Sequence, residues 1–225
     1  FASRYNLDLV FVAGEFTGNL DNDGEELLVT GQGGASILNF TYNDADPWPE
    51  SADGDGFSLV LMASGSPGDP DLPASWRSSA TLNGNPGGDD VTSYSSWKAF
   101  NGVTDDDGDD DGDGLTNLME YALGGDPFGP SLDLAPFAEV RLFDDGGANE
   151  EYIFMDVRRR LGADDVALII ETSNSLGEWV NDEGPPSLVR TVNNGDGTET
   201  VTYRLERPVN DERSVFMRAR FLLSP

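Results

Sequence analysis

Apolar residues in this chain recur mainly at every second position, in short runs separated by turn residues, a period that belongs to half-buried strands. Glu26-Leu27-Leu28-Val29-Thr30 and Ile37-Leu38-Asn39-Phe40-Thr41-Tyr42 read as strands, the second placing Leu38, Phe40 and Tyr42 on one face. Leu7-Asp8-Leu9-Val10-Phe11-Val12 and Phe57-Ser58-Leu59-Val60-Leu61-Met62 predict two more. Beyond residue 136 the pattern predicts strands at Ala138–Phe143, Glu151–Arg158, Val166–Thr172, Ser187–Val192, Thr198–Leu205 and Val215–Leu222. Val201, Tyr203 and Leu205 share a face, as do Val215, Met217, Ala219 and Phe221. Asn193-Asn194-Gly195-Asp196-Gly197 has the composition of a hairpin turn.

One stretch breaks the β rhythm. Leu115, Leu118, Met119 and Ala122 fall at i, i+3, i+4 and i+7, one face of a helix, and Gly124-Gly125 with Pro127 supply its stop. Ahead of it, in Ser95-Ser96-Trp97-Lys98-Ala99-Phe100, a serine cap and the i, i+3 pair Trp97 and Phe100 predict a single helical turn. The fold class expected is mostly β, with three regions. Residues 1–88 form a β-sandwich, residues 89–135 a linker with a short helix, and residues 136–225 a second β-sandwich.

The linker carries the strongest chemical signal. Read from Asp109, the run Asp109-Asp110-Asp111-Gly112-Asp113-Gly114-Leu115-Thr116-Asn117-Leu118-Met119-Glu120 puts Asp at loop positions 1, 3 and 5, Gly at 6 and Glu at 12. This is the EF-hand calcium-loop spacing: alternate short carboxylates converge, the glycine allows the turn, and the distant glutamate closes the cage with two oxygens. Leu115 stands where a backbone carbonyl is offered, and Asn117 where a ligand often acts through water. The expected cofactor is Ca2+, with Asp109, Asp111, Asp113, Leu115, Asn117 and Glu120 as the site. Asp105 and Asp107 are candidate ligands for a second ion, and Asp44, Asp46, Asp53 and Asp55 for a further one. Against the plain reading of an acidic run as a solvated linker stands the repulsion among seven aspartates in nine residues, 105 to 113, which calls for a counter-ion.

Composition narrows the function. The chain has 42 acidic and 13 basic residues, a net charge of −29, and both halves are acidic. Nucleic acid and anionic membranes are therefore poor partners. With no Cys and no His there is no disulfide, no thiolate nucleophile, no Ser-His-Asp triad and no ordinary zinc site. A single lysine, Lys98, leaves little room for Schiff-base chemistry. The basic cluster Arg158-Arg159-Arg160 reads as strand-end pairing with nearby acids. Starting at Phe1 without an initiator methionine, the chain is expected to be part of a longer one.

Several motifs resemble a known family. Gly14-Glu15-Phe16-Thr17-Gly18-Asn19-Leu20-Asp21-Asn22-Asp23-Gly24-Glu25, then Tyr42-Asn43-Asp44-Ala45-Asp46-Pro47-Trp48-Pro49 with Ala52-Asp53-Gly54-Asp55-Gly56-Phe57-Ser58-Leu59, and finally Ala74-Ser75-Trp76-Arg77 with Gly84-Asn85-Pro86-Gly87, are similar to motifs of bacterial lamin-tail domains. The resemblance covers about the first 88 residues. It implies an immunoglobulin-like sandwich in a long secreted or surface protein, with no catalytic residues. Phe1-Ala2-Ser3-Arg4-Tyr5 resembles the middle of such a domain, so its first strands are expected to be missing and an edge left open to self-association. The acidic loop resembles dockerin and thrombospondin type 3 loops, although dockerins pair two. Glu171-Thr172-Ser173-Asn174-Ser175-Leu176-Gly177-Glu178-Trp179 resembles a strand–turn of C-terminal β modules in similar proteins.

Three functions compete at this level. The first is a non-enzymatic, extracellular structural or adhesive segment whose partners are calcium, copies of itself or other domains of its parent. The second is a calcium-dependent carbohydrate-binding appendage, which would need exposed tryptophans such as Trp48 or Trp76 for polysaccharide stacking; the plainer reading of both is core. The third is a two-carboxylate hydrolase, which would need a cleft holding an acid of raised pKa.

Overall fold

The computed structural model describes the chain except residues 1, 2, 7, 9, 13, 63–67, 145, 148, 180–184, 210–213 and 225. It is mostly β, with ten strands and two α-helices among the described residues. β1 (Glu26–Thr30) pairs antiparallel with β2 (Ser36–Thr41), and β3 (Leu59–Leu61) with β4 (Trp76–Ser78). β5 (Phe137–Asp144), β6 (Asn149–Arg160), β9 (Thr198–Arg204) and β8 (Ser187–Asn193) form a four-stranded antiparallel sheet in the order β5-β6-β9-β8. β7 (Val166–Ser173) pairs with β10 (Phe216–Leu223). The six strands predicted beyond residue 136 are all present within one or two residues. Asn193–Gly197 joins β8 to β9, with Gly195 and Gly197 at φ 77° and 84°.

Alternation explains the first core. Phe40 of β2 is buried with Trp48 and Trp76, and Leu38, Tyr42, Leu59 and Leu61 pack against them. The Trp76 ring lies 4.8 Å from Phe40 and 6.0 Å from Trp48, and its indole N–H donates to the Pro70 carbonyl at 2.8 Å. These tryptophans are structural. The strand expected over Leu7–Val12 is not formed at its described residues: Asp8, Val10, Phe11 and Val12 lie outside any strand, and Phe11 is 92% exposed. Leu7 and Leu9 fall outside the described residues. Among the described residues no third strand joins β1 and β2, so apolar alternation there has no sheet face to bury against.

A second core joins the four-stranded sheet to β7, β10 and the linker. Met155 and Val157 of β6, Val201 of β9, Ile170 of β7 and Phe221 of β10 meet Leu115, Ala122 and Leu123. The last two lie on α2 (Asn117–Leu123), which Thr116 caps by accepting the Met119 N–H at 3.4 Å. Gly124 ends it at φ 84°, as the glycine pair predicts. The helical turn ahead of the loop is longer than expected: α1 runs Tyr94–Asn101, with Ser93 accepting the Ser96 N–H at 3.2 Å. Its buried pair is Tyr94 and Trp97, packed on Tyr121 of α2. Phe100, expected to pack, is 89% exposed, because the i, i+3 stripe begins one turn earlier.

The three regions are bolted together by buried charge. Arg77 of β4 is 1% exposed and bonds Asp164 through Nε (2.6 Å) and Nη2 (2.9 Å), and Asp90 through Nη1 (2.7 Å). The next residue, Asp165, accepts from the Tyr94 N–H and the Tyr121 hydroxyl, both at 2.7 Å. The turn between β6 and β7 thus holds the first region and the linker at adjacent positions. Of the basic cluster, Arg158 pairs with Asp196 and Arg159 with fully buried Glu199. Among the described residues the expected acid pairing is not seen for Arg160, which turns to the α2 backbone instead. Removing one partner of a buried ion pair strands the other charge, at a cost of about 3–5 kcal/mol. Arg77→Met should lower unfolding free energy in urea by about that much; a loss as small as a surface pair gives would contradict the joint described.

Candidate metal centre

The loop before α2 is coiled by its own carboxylates. Asp109 Oδ1 accepts from the Gly112 N–H (2.7 Å) and the Asp113 N–H (3.1 Å), and Asp109 Oδ2 from the Gly114 N–H (2.9 Å). Asp111 Oδ1 accepts from the Asp113 N–H at 3.0 Å, and Asp113 Oδ1 from the Leu115 N–H at 2.8 Å. Each short side chain reaches the backbone two or more residues on, which folds the chain tightly enough to bring alternate positions to one side. Gly114 sits at φ 101°, a value that opposes any side chain. As a result Asp109, Asp111 and Asp113 each place a carboxylate oxygen within 4.8 Å of the other two.

Glu120, on α2, lies outside that mutually convergent set but near enough for the charges of Asp109, Asp111 and Asp113 to act on it. It is 1% exposed, and neither of its carboxylate oxygens has a hydrogen-bond partner. Burial is the main force raising its pKa to about 7, and the charges of Asp111, Asp113, Asp126 and Asp109 add to it. Asp111 Oδ2 is also buried without a partner. A buried carboxylate deprived of donors is costly unless something positive faces it. The donor set is all oxygen, which fits a hard cation of the calcium type and offers nothing to softer metals.

The remaining predicted residues take other places. Leu115 anchors the loop, with its side chain 3% exposed in the second core. Asn117, fully buried, turns its amide nitrogen to the Asp105 carbonyl (2.8 Å) and Asp110 Oδ2 (3.1 Å), while its backbone N–H binds the Gly108 carbonyl (2.8 Å). It ties the incoming arm to α2, and its Oδ1 is buried and unpartnered. Asp105 accepts the Asp107 N–H at 3.2 Å, but neither belongs to the convergent group. Among the described residues no other three carboxylates converge so closely, including Asp44, Asp46, Asp53 and Asp55. Sequence reasoning missed Ser131, whose backbone N–H binds Asp113 Oδ2 from behind. It follows Asp113 by 18 residues and carries no pattern that would mark it.

Glu120 makes the metal-free protein pH-sensitive in a definite direction. The folded state holds this proton up to about pH 7, whereas an unfolded glutamate releases it near the ordinary value of 4.5. Between those values the native state binds more protons, so the group's contribution to stability falls as pH rises. The melting temperature measured in chelator should therefore show a component that drops between about pH 4.5 and 7 and is absent in Glu120→Gln. Identical profiles for the two proteins would contradict this environment for Glu120.

No family model, curated protein or solved structure matches the chain, so its functional reading rests on the chemistry of this site.

Proposed function

We propose that this chain is a non-enzymatic, extracellular structural segment in which Ca2+ rigidifies a loop–helix between two β modules. The observation that carries the reading is Glu120: a buried carboxylate with two unpartnered oxygens, mounted behind three converging aspartates. A calcium ion held by Asp109, Asp111, Asp113 and Glu120, with the Leu115 carbonyl, would supply the missing positive charge. The same helix carries Tyr121, whose hydroxyl reaches Asp165, so ordering the loop would stiffen the joint as well. In this reading the flanking regions are β-sandwiches, the first of the immunoglobulin-like, lamin-tail type that its motifs resemble.

The alternatives have less support. Trp48, Trp76 and Trp97 are buried, and Trp179 is half-buried beneath the Arg218 guanidinium, so no tryptophan offers a bare platform for a sugar ring. Among the described residues Glu120 is the carboxylate with the raised pKa, and at 1% exposure it is closed to a substrate.

Calorimetric titration tests the proposal. Binding is expected in the range of about 10⁻⁴–10⁻³ M, as in extracellular calcium modules. Glu120→Gln should weaken it at least about tenfold, and Asn117→Ala less, because only Glu120 brings two charged oxygens. Chelator should also open new protease cleavage between residues 101 and 125. No measurable heat, with digestion patterns unchanged by chelator, would overturn the proposal.

A further inference from the structure

Arg160 stands apart from its neighbours at the end of β6. Arg158 and Arg159 each hold a carboxylate at 2.6 Å, whereas Arg160 has no acidic partner among the described residues. Its Nε donates to the Tyr121 carbonyl at 2.8 Å, and its guanidinium carbon lies 5.7 Å from the centre of the Tyr121 ring. Among the described residues, Nη1 and Nη2 have no hydrogen-bond partner. In a chain with 42 acidic residues this is a conspicuous omission. Burial holds the Arg160 pKa below the usual arginine value, and Arg158 lowers it further; the Tyr121 phenol acts in the opposite sense. A half-buried guanidinium is normally matched by a carboxylate fork.

The unfilled fork borders a cavity of about 210 Å³ between the first region and the C-terminal sheets. Ala122, Val166, Ala167, Leu168 and Phe221 give it an apolar wall. Its other charged lining groups are already committed. Arg77 and Asp164 bind each other through two hydrogen bonds, and Arg159 is held by Glu199 and the Trp76 carbonyl. Among the described lining residues, Arg160 is the cation without a carboxylate partner, beside the apolar wall.

We propose that this cavity binds a small monocarboxylate with a short apolar body, its two oxygens end-on against Nη1 and Nη2 of Arg160. The planar fork matches a carboxylate bidentately, and the walls suit a short acyl chain. A doubly charged phosphate fits less well, because a single uncommitted arginine faces it and Asp164 lies in the same wall. The volume is below the range of roughly 300–1,000 Å³ typical of drug-sized ligand pockets, which selects a small ligand.

Butyrate is a suitable probe, titrated into the full chain at fixed calcium and ionic strength and followed by amide NMR shifts, with butanol and chloride as controls. Saturable shifts are expected at Ala122, Ala163 and Ala167, with none for butanol or chloride. Arg160→Gln should weaken butyrate at least about tenfold. Ala167→Met, which fills the space without touching the guanidinium, should abolish binding, and circular dichroism checks that both variants fold. Absence of saturation in the parent protein, equal affinity in Arg160→Gln, or equal shifts with butanol would overturn the proposal. So would shifts confined to residues 109–120, since these would report butyrate competing for calcium. The inference does not rest on the calcium reading: its signals lie at different residues, and Glu120→Gln should leave them in place.

Discussion

The middle of this molecule carries one electrostatic constraint, the mutual repulsion of carboxylates brought together by a tightly coiled loop. Asp109, Asp111 and Asp113 spend one or both oxygens on backbone N–H groups, which relieves part of their charge while forcing the rest into one small volume. Glu120 has no such relief. It is buried behind them with both oxygens bare, so its charge is tolerated only by holding a proton or by facing a cation. The pKa near 7 is the metal-free expression of that constraint. Calcium would be its alternative resolution.

The loop matters beyond itself because α2 is shared. Leu115, Ala122 and Leu123 of the loop–helix unit belong to the core of the C-terminal sheets, and Tyr121 belongs to the smaller core with Tyr94 and Trp97. Two adjacent acids, Asp164 and Asp165, then tie Arg77 of the first region and both tyrosines of the linker to one turn. Each of these bonds is buried or half-buried, where solvent screens little. A change in the acidic loop therefore has a physical route to the first region, through packed side chains and ion pairs.

Much of the β structure was legible in the sequence because its signal is local. Period-two alternation located β1, β2 and all six strands beyond residue 136, and the Asn/Gly turn after Val192 set the β8–β9 hairpin. The helix α2 and the convergence of Asp109, Asp111 and Asp113 were legible for the same reason: the alternating aspartates and the i, i+3, i+4 stripe are both short-range. What failed depended on distant partners. Asp8, Val10, Phe11 and Val12 lie in a strand-like stretch but have no described strand to pair with, so propensity alone did not make them one. Phe100 lost its place to Tyr94 because the cap fell at Ser93, two residues ahead of the Ser95-Ser96 pair. Arg77, Ser131 and Asp164 act across separations that no periodicity encodes, up to 87 residues for the Arg77–Asp164 pair.

The central claim is that one divalent cation completes the cage of Asp109, Asp111, Asp113 and Glu120. An NMR titration with calcium that follows the Gly114 and Leu115 amides together with the Glu120 side-chain carboxyl carbon tests this most directly. The account predicts that all three shift together with one saturation curve, and that the Glu120 carboxyl is fully ionised at the end point even below pH 7. A Glu120 signal that keeps its metal-free pH titration while calcium saturates elsewhere would contradict it.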